Sequence, residues 1–578
     1  MNIFEQLMTF FSDGAGAVSL QSVGEAVLRI AIPVLALVIL LRCAGSLLGF
    51  RREPEIWAWL RIADSTLLPV THWENLIGRK KSADIQVDFA TVSKNHAVLT
   101  RLDDGSWTVR EIEDKGRVEV NGKPTSFGTL QYGDVLTLGG VPMTLEPISE
   151  DEKQLQAQSR TKPGSRNKPG LTLVVLTVLQ LLMGLALLLH VDAGDAPAVM
   201  IGFGALLVLE WILYIGQKII RRSGFEVEIL AFFLCTVGMA VICSNDPSDV
   251  KKQLITVCAG IVIFLFLGWA LRDLERARWI RYAAAVVSIL LLLINLIFGK
   301  EMYGAKNWIY IGGISFQPSE LVKICFVFVG ASNLDHIVTK RNLILFIVYS
   351  AFICGCLALM SDFGTALIFF VSFLVIAYLR SGNFAAIALS VSGLGIAGVF
   401  ALRFFPYVKR RFQAWGHIWE HALDSGYQQT RALMCIASGG LFGLGAGVGW
   451  LKYVAASDTD LVFAFVSEEW GLILAILMVA AVGVLGLFVV RSSAESRSSF
   501  YTIAACAAIS IFAVQTILNV FGTVDFLPLT GVTFPFASNG GSSMLASWGL
   551  LSFIKACDTR QNASFAVRLS AKKGGRGT

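Results

Sequence analysis

Apolar stretches of about twenty residues, each long enough to cross a bilayer as a helix, recur along most of the chain and alternate with short polar loops. They lie near 26–49, 171–191, 197–217, 227–245, 252–271, 279–298, 318–335, 343–360, 363–380, 384–403, 461–490, 501–522 and 541–556, which predicts about thirteen spans. The pattern changes once. Over 53–150 the hydrophobic positions alternate within short runs such as 84–89 (DIQVDF), 106–112 (SWTVREI) and 134–138 (DVLTL), bounded by Gly, Asp and Asn. That period predicts a small all-β domain inserted into a polytopic all-α membrane protein. The predicted division is an N-terminal transmembrane anchor over 1–52, the β domain over 53–150, a basic linker over 151–170, two additional helices over 171–222, a helical core over 223–558 and a basic tail over 559–578.

Charge sets the expected orientation. Arg42, Arg51 and Arg52 follow the first apolar run, whereas only Arg29 stands near its start, so the positive-inside rule places the N-terminus outside and the β domain in the cytoplasm. Arg222, Arg276, Arg380 and Arg491 then fall on the inner side with the C-terminal tail. Loops 299–317, 404–460 and 523–540 fall outside. The first run lacks a small-residue cleavage site after it and is expected to remain as an anchor.

Composition agrees with the pattern: of 578 residues 55% are hydrophobic and 16% charged, with mean hydropathy +0.65. The net charge of +6 is accounted for by the inner loops and implies no nucleic-acid partner. The 10 cysteines lie mostly in apolar segments without ligand spacing and read as small buried hydrophobes.

The long exterior loop 404–460 is too rich in aromatic residues for a disordered linker and predicts an ordered cap over a site. Within the spans, Glu320 and Lys323 share one helix face, and Asp362 opens another span; ionisable residues at that depth are functional candidates, although such groups also simply lock helices together. Lys306 and Trp308 lie on an exterior loop. The string 417–421 (HIWEH) fits a zinc-peptidase pattern but has no evident third ligand, and the glycine run 438–449 lacks the Lys-Ser/Thr of a phosphate loop and reads as close packing.

The motifs 303–323 (YGAKNWIYIGGISFQPSELVK), 362–366 (DFGTA), 426–428 (GYQ), 438–443 (SGGLFG), 459–471 (TDLVFAFVSEEWG) and 530–543 (TGVTFPFASNGGSS) resemble the successive signatures of the shape, elongation, division and sporulation family, the relatives of FtsW, RodA and SpoVE. The resemblance covers roughly 225–557, about ten spans. It implies a glycosyltransferase that polymerises the lipid-linked disaccharide-pentapeptide, lipid II, into glycan strands and works with a class B transpeptidase, a penicillin-binding protein. It places the essential exterior carboxylate on Asp460, and substrate or cavity residues on Lys306, Trp308, Glu320, Lys323, Asp362, Arg410, Arg411, Gln428 and Glu469. The chain departs from the family at Asp458, where His is usual, at Met360-Ser361, and at Asn539, where Tyr is usual. In an extended segment Asp458 and Asp460 would point the same way, so that one holds a proton or a divalent cation such as magnesium or manganese settles between them.

The β domain resembles a forkhead-associated (FHA) domain, a sandwich that binds phosphothreonine. Gly78-Arg79, Ser93-x-x-His96 and Asn121-Gly122 occur in the expected order, which implies Arg79 and Ser93 at the phosphate and His96 beside them. The peptide-clamping Asn loop is missing at 114–118 (DKGRV). A lipid transporter and an inactive scaffold remain competing readings of the same chain; the first would turn on the intramembrane charges, the second on Asp458.

Overall fold

In lipid a backbone can satisfy its N–H and C=O groups only within itself, so the long apolar stretches become helices. The computed structural model describes residues 20–49, 55–62, 66–81, 83–102, 105–112, 118–161, 168–272, 274–302, 305–311, 314–331, 340–381, 384–404, 406–493, 496, 498–560 and 562–566. Among them, 9 helices are long and apolar enough to cross a membrane. The expected number is larger because several spans are short: Pro318–Ala331 has 14 residues and Gly541–Ala556 has 16. One expected span, 461–490, is two elements. Val462–Glu469 ends at Trp470 and Gly471, and Leu472–Ser493 starts afresh beyond them.

Helix Glu226–Asn245 occupies the centre and is buried all round. At one end of it, buried charges are matched. Arg560 pairs with Glu226 at 2.8 Å and Asp558 at 2.7 Å, while Lys555 meets Glu228 at 2.9 Å. Ser46 of the first helix, Leu20–Leu48, donates to Glu226 at 2.6 Å and so fastens that helix to the same cluster. Removing one member would strand a buried charge, a change that destabilises by roughly 3–5 kcal/mol.

The stretches expected outside the membrane hold more structure than the sequence pattern predicts. Residues between 300 and 316 form a three-stranded antiparallel sheet, Lys300–Met302, Ala305–Ile311 and Ile314–Phe316. The 404–460 stretch contains helices Pro406–Ala414 and Tyr427–Gly439, so it is an ordered cap rather than a loop.

The β domain is a two-sheet sandwich. One sheet runs Leu67–Val70, Ala58–Ile62, Val141–Glu146, Val135–Leu138, Val118–Val120, Lys123–Pro124, and the other Ile85–Gln86, Glu74–Gly78, Ala97–Arg101, Trp107–Glu111, Phe127–Leu130. The alternating residues that announced it, Leu60, Ile77, Leu99, Val109 and Leu136 among them, fill the space between the sheets. The sandwich rests on the helical domain through three consecutive residues. His72 Nδ1 lies 2.6 Å from the Ser496 carbonyl, Trp73 meets Tyr501 edge-on with centroids 6.2 Å apart, and Glu74 accepts from Ser498 Oγ at 2.9 Å. Ser498 also caps helix Ser499–Thr523, accepting from the Phe500 N–H at 3.2 Å. The predicted 114–118 gap, apart from Val118, and the tail beyond 566 lie outside the described residues.

Candidate active site

The cap, the three-stranded sheet and the 524–540 turn line an open cavity of about 400 Å³. Of the residues singled out from sequence, Trp308, Asp362, Arg411, Asp458 and Asp460 line it. The others stand elsewhere. Lys306 is exposed and donates to the Leu296 carbonyl at 3.1 Å. Gln428 donates to the Ala455 carbonyl at 2.8 Å and holds the cap to its own base. Glu320 and Lys323 pair at 2.6 Å within helix Pro318–Ala331, buried and away from the cavity lining. Lys409 is exposed, and the Arg410 side chain lies outside the described residues.

Glu469 has a different partner set from the one its motif suggests. Its carboxylate accepts from Ser244 Oγ at 2.6 Å and from the N–H groups of Gly447 and Gly449 at 3.1 and 3.2 Å. Its neighbour Glu468 accepts from the N–H groups of Trp450 and Leu451, both at 2.9 Å. Two adjacent carboxylates thus gather four consecutive-turn amides of the glycine run. The run packs as expected of it: Gly443 has φ +83°, and a Cβ there would lie 2.2 Å from the Glu469 carbonyl oxygen, so only glycine fits.

Asp362 secures one wall. It accepts from Asn307 Nδ2 at 2.9 Å and Gln317 Nε2 at 3.2 Å, and from the Thr365 N–H at 3.1 Å, which joins the small sheet to the start of helix Phe363–Ser381.

Asp460 stands at the opposite wall. Its segment turns rather than extends, with the N–H groups of Thr459 and Asp460 both bonded to the Ala456 carbonyl, at 3.3 and 2.9 Å. The segment is therefore not extended as expected; Asp458 accepts from Asn539 Nδ2 at 2.8 Å, and its charge still acts on Asp460. Two departures from the family motifs, at 458 and 539, touch each other. Gly531, at φ +69°, lies under Asp460; a Cβ on it would come within 3.2 Å of Oδ2. Burial pushes the Asp460 carboxyl up to about 6, against the Thr459 hydroxyl and the Arg411 charge, which favour ionisation. Asp458 is also raised, by burial first, with the Asn539 hydrogen bond opposing and Asp249 adding to the rise. Among the described residues no three His, Cys, Asp or Glu side chains come together as a metal would require, and the 417–421 string only forms successive turns.

Lys252 lines the cavity and was not foreseen. It follows Asp249 by one helical turn, at 3.6 Å, on a helix whose hydrophobicity drew attention to its interior and not its end. Asn307 and Gln317 were also missed as individual residues, although the motif containing them was noted; Asn539, noted only as a departure from its motif, lines the cavity as well.

In the β domain Arg79 is exposed, and its N–H donates to the Ser93 carbonyl at 3.0 Å. His96 is fully buried and accepts from the Ser93 N–H at 3.1 Å, so it shapes the loop that presents Ser93. Asn121 and Gly122, with φ of +52° and +74°, make the hairpin turn after Val118–Val120.

A helical core with membrane-spanning helices, a half-buried carboxylate on the wall of a large cavity and a docked β-sandwich defines the class of the molecule. The profile of the FtsW/RodA/SpoVE family, described as cell cycle protein, matches residues 226–563, and the chain belongs to that family. A profile for the FHA domain matches residues 75–139. A probable peptidoglycan glycosyltransferase FtsW from Escherichia coli is 34% identical over 343 residues, 55% of this chain and 81% of that protein. The Bacillus subtilis counterpart, of the same description, is 27% identical over 58% of this chain and 92% of its own length. A peptidoglycan glycosyltransferase RodA from Mycobacterium tuberculosis is 29% identical over 53% of this chain and 69% of its own.

Proposed function

We propose that the chain is a peptidoglycan glycosyltransferase that polymerises lipid II at the outer face of the bacterial cytoplasmic membrane. The observation that carries this reading is Asp460, a half-buried carboxylate of raised pKa on the wall of a cavity of about 400 Å³ that also holds Arg411 and Lys252. Glycan extension needs a base for the attacking hydroxyl and positive charge for the departing diphosphate. The acceptor hydroxyl passes its proton to Asp460 as its oxygen bonds to the donor's anomeric carbon; the bond from that carbon to the diphosphate breaks, and the lipid diphosphate leaves with the electron pair toward Arg411 and Lys252. Any divalent cation is placed with that diphosphate, whose oxygens are hard ligands, because Asp458 is already engaged by Asn539. In this reading a class B transpeptidase cross-links the product, the N-terminus is outside, and the FHA domain and C-terminus are cytoplasmic. The test is direct: purified protein given labelled lipid II, with and without a class B transpeptidase, yields glycan ladders on a gel. Lipid movement across proteoliposomes without polymer would favour the transporter instead.

The raised pKa gives a pH profile. A base titrating at about 6 is ionised above that pH, so kcat falls roughly tenfold per unit as pH drops below it and is flat above it. The sign for stability is opposite. A carboxyl whose folded pKa exceeds its unfolded value binds its proton more tightly when folded, so its contribution to stability is present at low pH and is lost as pH rises through about 6. A kcat profile without an inflection between pH 5 and 7, in that scale's terms about one unit either side of the expected value, would remove Asp460 as the base.

Phosphothreonine recognition by Arg79 and Ser93 is the second half of the proposal. The strand Glu74–Gly78 begins on Ser498 and ends beside Arg79, which puts the phosphate site one strand away from the helical domain. Titrating the full-length protein with a phosphothreonine peptide library gives binding that Arg79→Ala weakens by roughly tenfold or more, the loss of a charge-assisted hydrogen bond. Binding unchanged by that substitution would leave the sandwich a docking module.

A further inference from the structure

Asp460 is held by an arrangement that its motif does not announce. The carbonyls of three successive residues each receive a hydrogen bond from a different donor: Asp458 from the Asn539 N–H at 2.9 Å, Thr459 from Ser538 Oγ at 2.6 Å, and Asp460 from Asn519 Nδ2 at 2.9 Å. Asn519 donates a second time, to the Val532 carbonyl at 2.9 Å, while its own Oδ1 is buried without a hydrogen-bond partner among the described residues. A buried amide with an unmatched oxygen is unfavourable, and what it secures is the joint between the 458–460 turn and the 530–540 turn. Side chains cross the same joint. Asn539 Nδ2 donates to Asp458 Oδ2 at 2.8 Å and to Asp249 Oδ2 at 3.0 Å, so one amide lies between two carboxylates that would otherwise repel. Asp249 in turn faces Lys252, which lines the cavity.

We propose that Asp458 and Asn539 are a coupled pair of positioning residues, which through their bridge to Asp249 fix the Asp460 carboxylate relative to Lys252. The inference rests on Asp460 acting as the base in the proposed reaction. Neither residue touches the reacting atoms in this scheme; their effect is on where the base stands, and displacement of a base by an ångström is enough to slow a reaction severely. The geometry also sets the direction of substitution effects. Asn539→Asp removes the shared donor and places a third carboxylate between two others. Asp458→Asn in the same chain restores a donor facing an acceptor, with the roles exchanged.

The experiment is steady-state polymerisation of lipid II by the full chain, with thermal unfolding followed in parallel. Asn539→Asp lowers kcat by roughly tenfold or more with KM changed less than about twofold, and adding Asp458→Asn recovers part of the loss, the contact with Asp458 being restored and the repulsion by Asp249 remaining, as coupled neighbours do in a double-mutant cycle. A structural role alone would lower the unfolding temperature without that split between kcat and KM, and would overturn the proposal. So would a double variant whose kcat equals the product of the two single effects. If Asn539→Asp fails to fold, the cycle of Asp458→Ala and Asn539→Ala carries the same test, coupling again the expected result and independence the overturning one. Failure of the functional reading looks different: the wild-type protein itself then makes no polymer, and the inference falls with it.

Discussion

Asp460→Asn abolishes glycan polymerisation and leaves the protein folded. Asparagine keeps the size of the side chain over Gly531 and the backbone N–H that donates to the Ala456 carbonyl, so the turn remains in place. What it loses is the ability to accept a proton. General-base catalysis contributes roughly 10²- to 10⁴-fold, and kcat is expected to fall by that amount while lipid II still binds, since the cavity walls and their cations are untouched. The substitution also removes a carboxyl that burial disfavours in its charged form, so the unfolding temperature at neutral pH stays level or rises. Radiolabelled lipid II, a gel for products and a thermal unfolding trace measure all three. Long glycan chains from the variant at near wild-type rate would end the assignment of Asp460 as base.

Glu469→Ala has an effect as large, but on the fold. The carboxylate takes hydrogen bonds from Ser244 Oγ and from two amides of the glycine run, and it is 1% exposed. Each buried donor left without an acceptor costs about 1–3 kcal/mol, so three of them amount to several kcal/mol against a typical stability of about 5–15. The expected result is loss of monodisperse protein from detergent, or a large fall in unfolding temperature. Glu469→Gln keeps one acceptor oxygen and is milder. A Glu469→Ala protein that unfolds at the wild-type temperature yet has lost kcat would return the residue to the chemistry that its motif suggests.

These two acidic residues show where sequence reading stops. Asp460 and Glu469 sit nine positions apart in one motif, and nothing in their type or spacing distinguishes a cavity-lining carboxylate from a loop anchor. The difference comes from what the chain brings against them: Gly531 and an open cavity in one case, the amides of 447 and 449 in the other. Lys252 illustrates the converse, a cation hidden at the end of an unremarkable apolar run until folding sets it in the same cavity lining as Arg411.

The sequence by itself determined the spans, the inserted sandwich and the family, because each depends on a local property. Bilayer thickness dictates the length of an apolar run, a period of two marks a half-buried strand, and a motif is contiguous by definition. It also singled out Asp460, which lines the cavity. Tertiary structure alone decided that the 404–460 stretch is a helical cap, that 461–490 breaks at Gly471, and that Asp458 is held by Asn539. Those outcomes rest on contacts between segments far apart in the chain, Asp249 with Asn539 across 290 positions and Glu74 with Ser498 across 424. Such pairings are selected by packing and by the need to satisfy buried polar groups, which no window along the sequence contains.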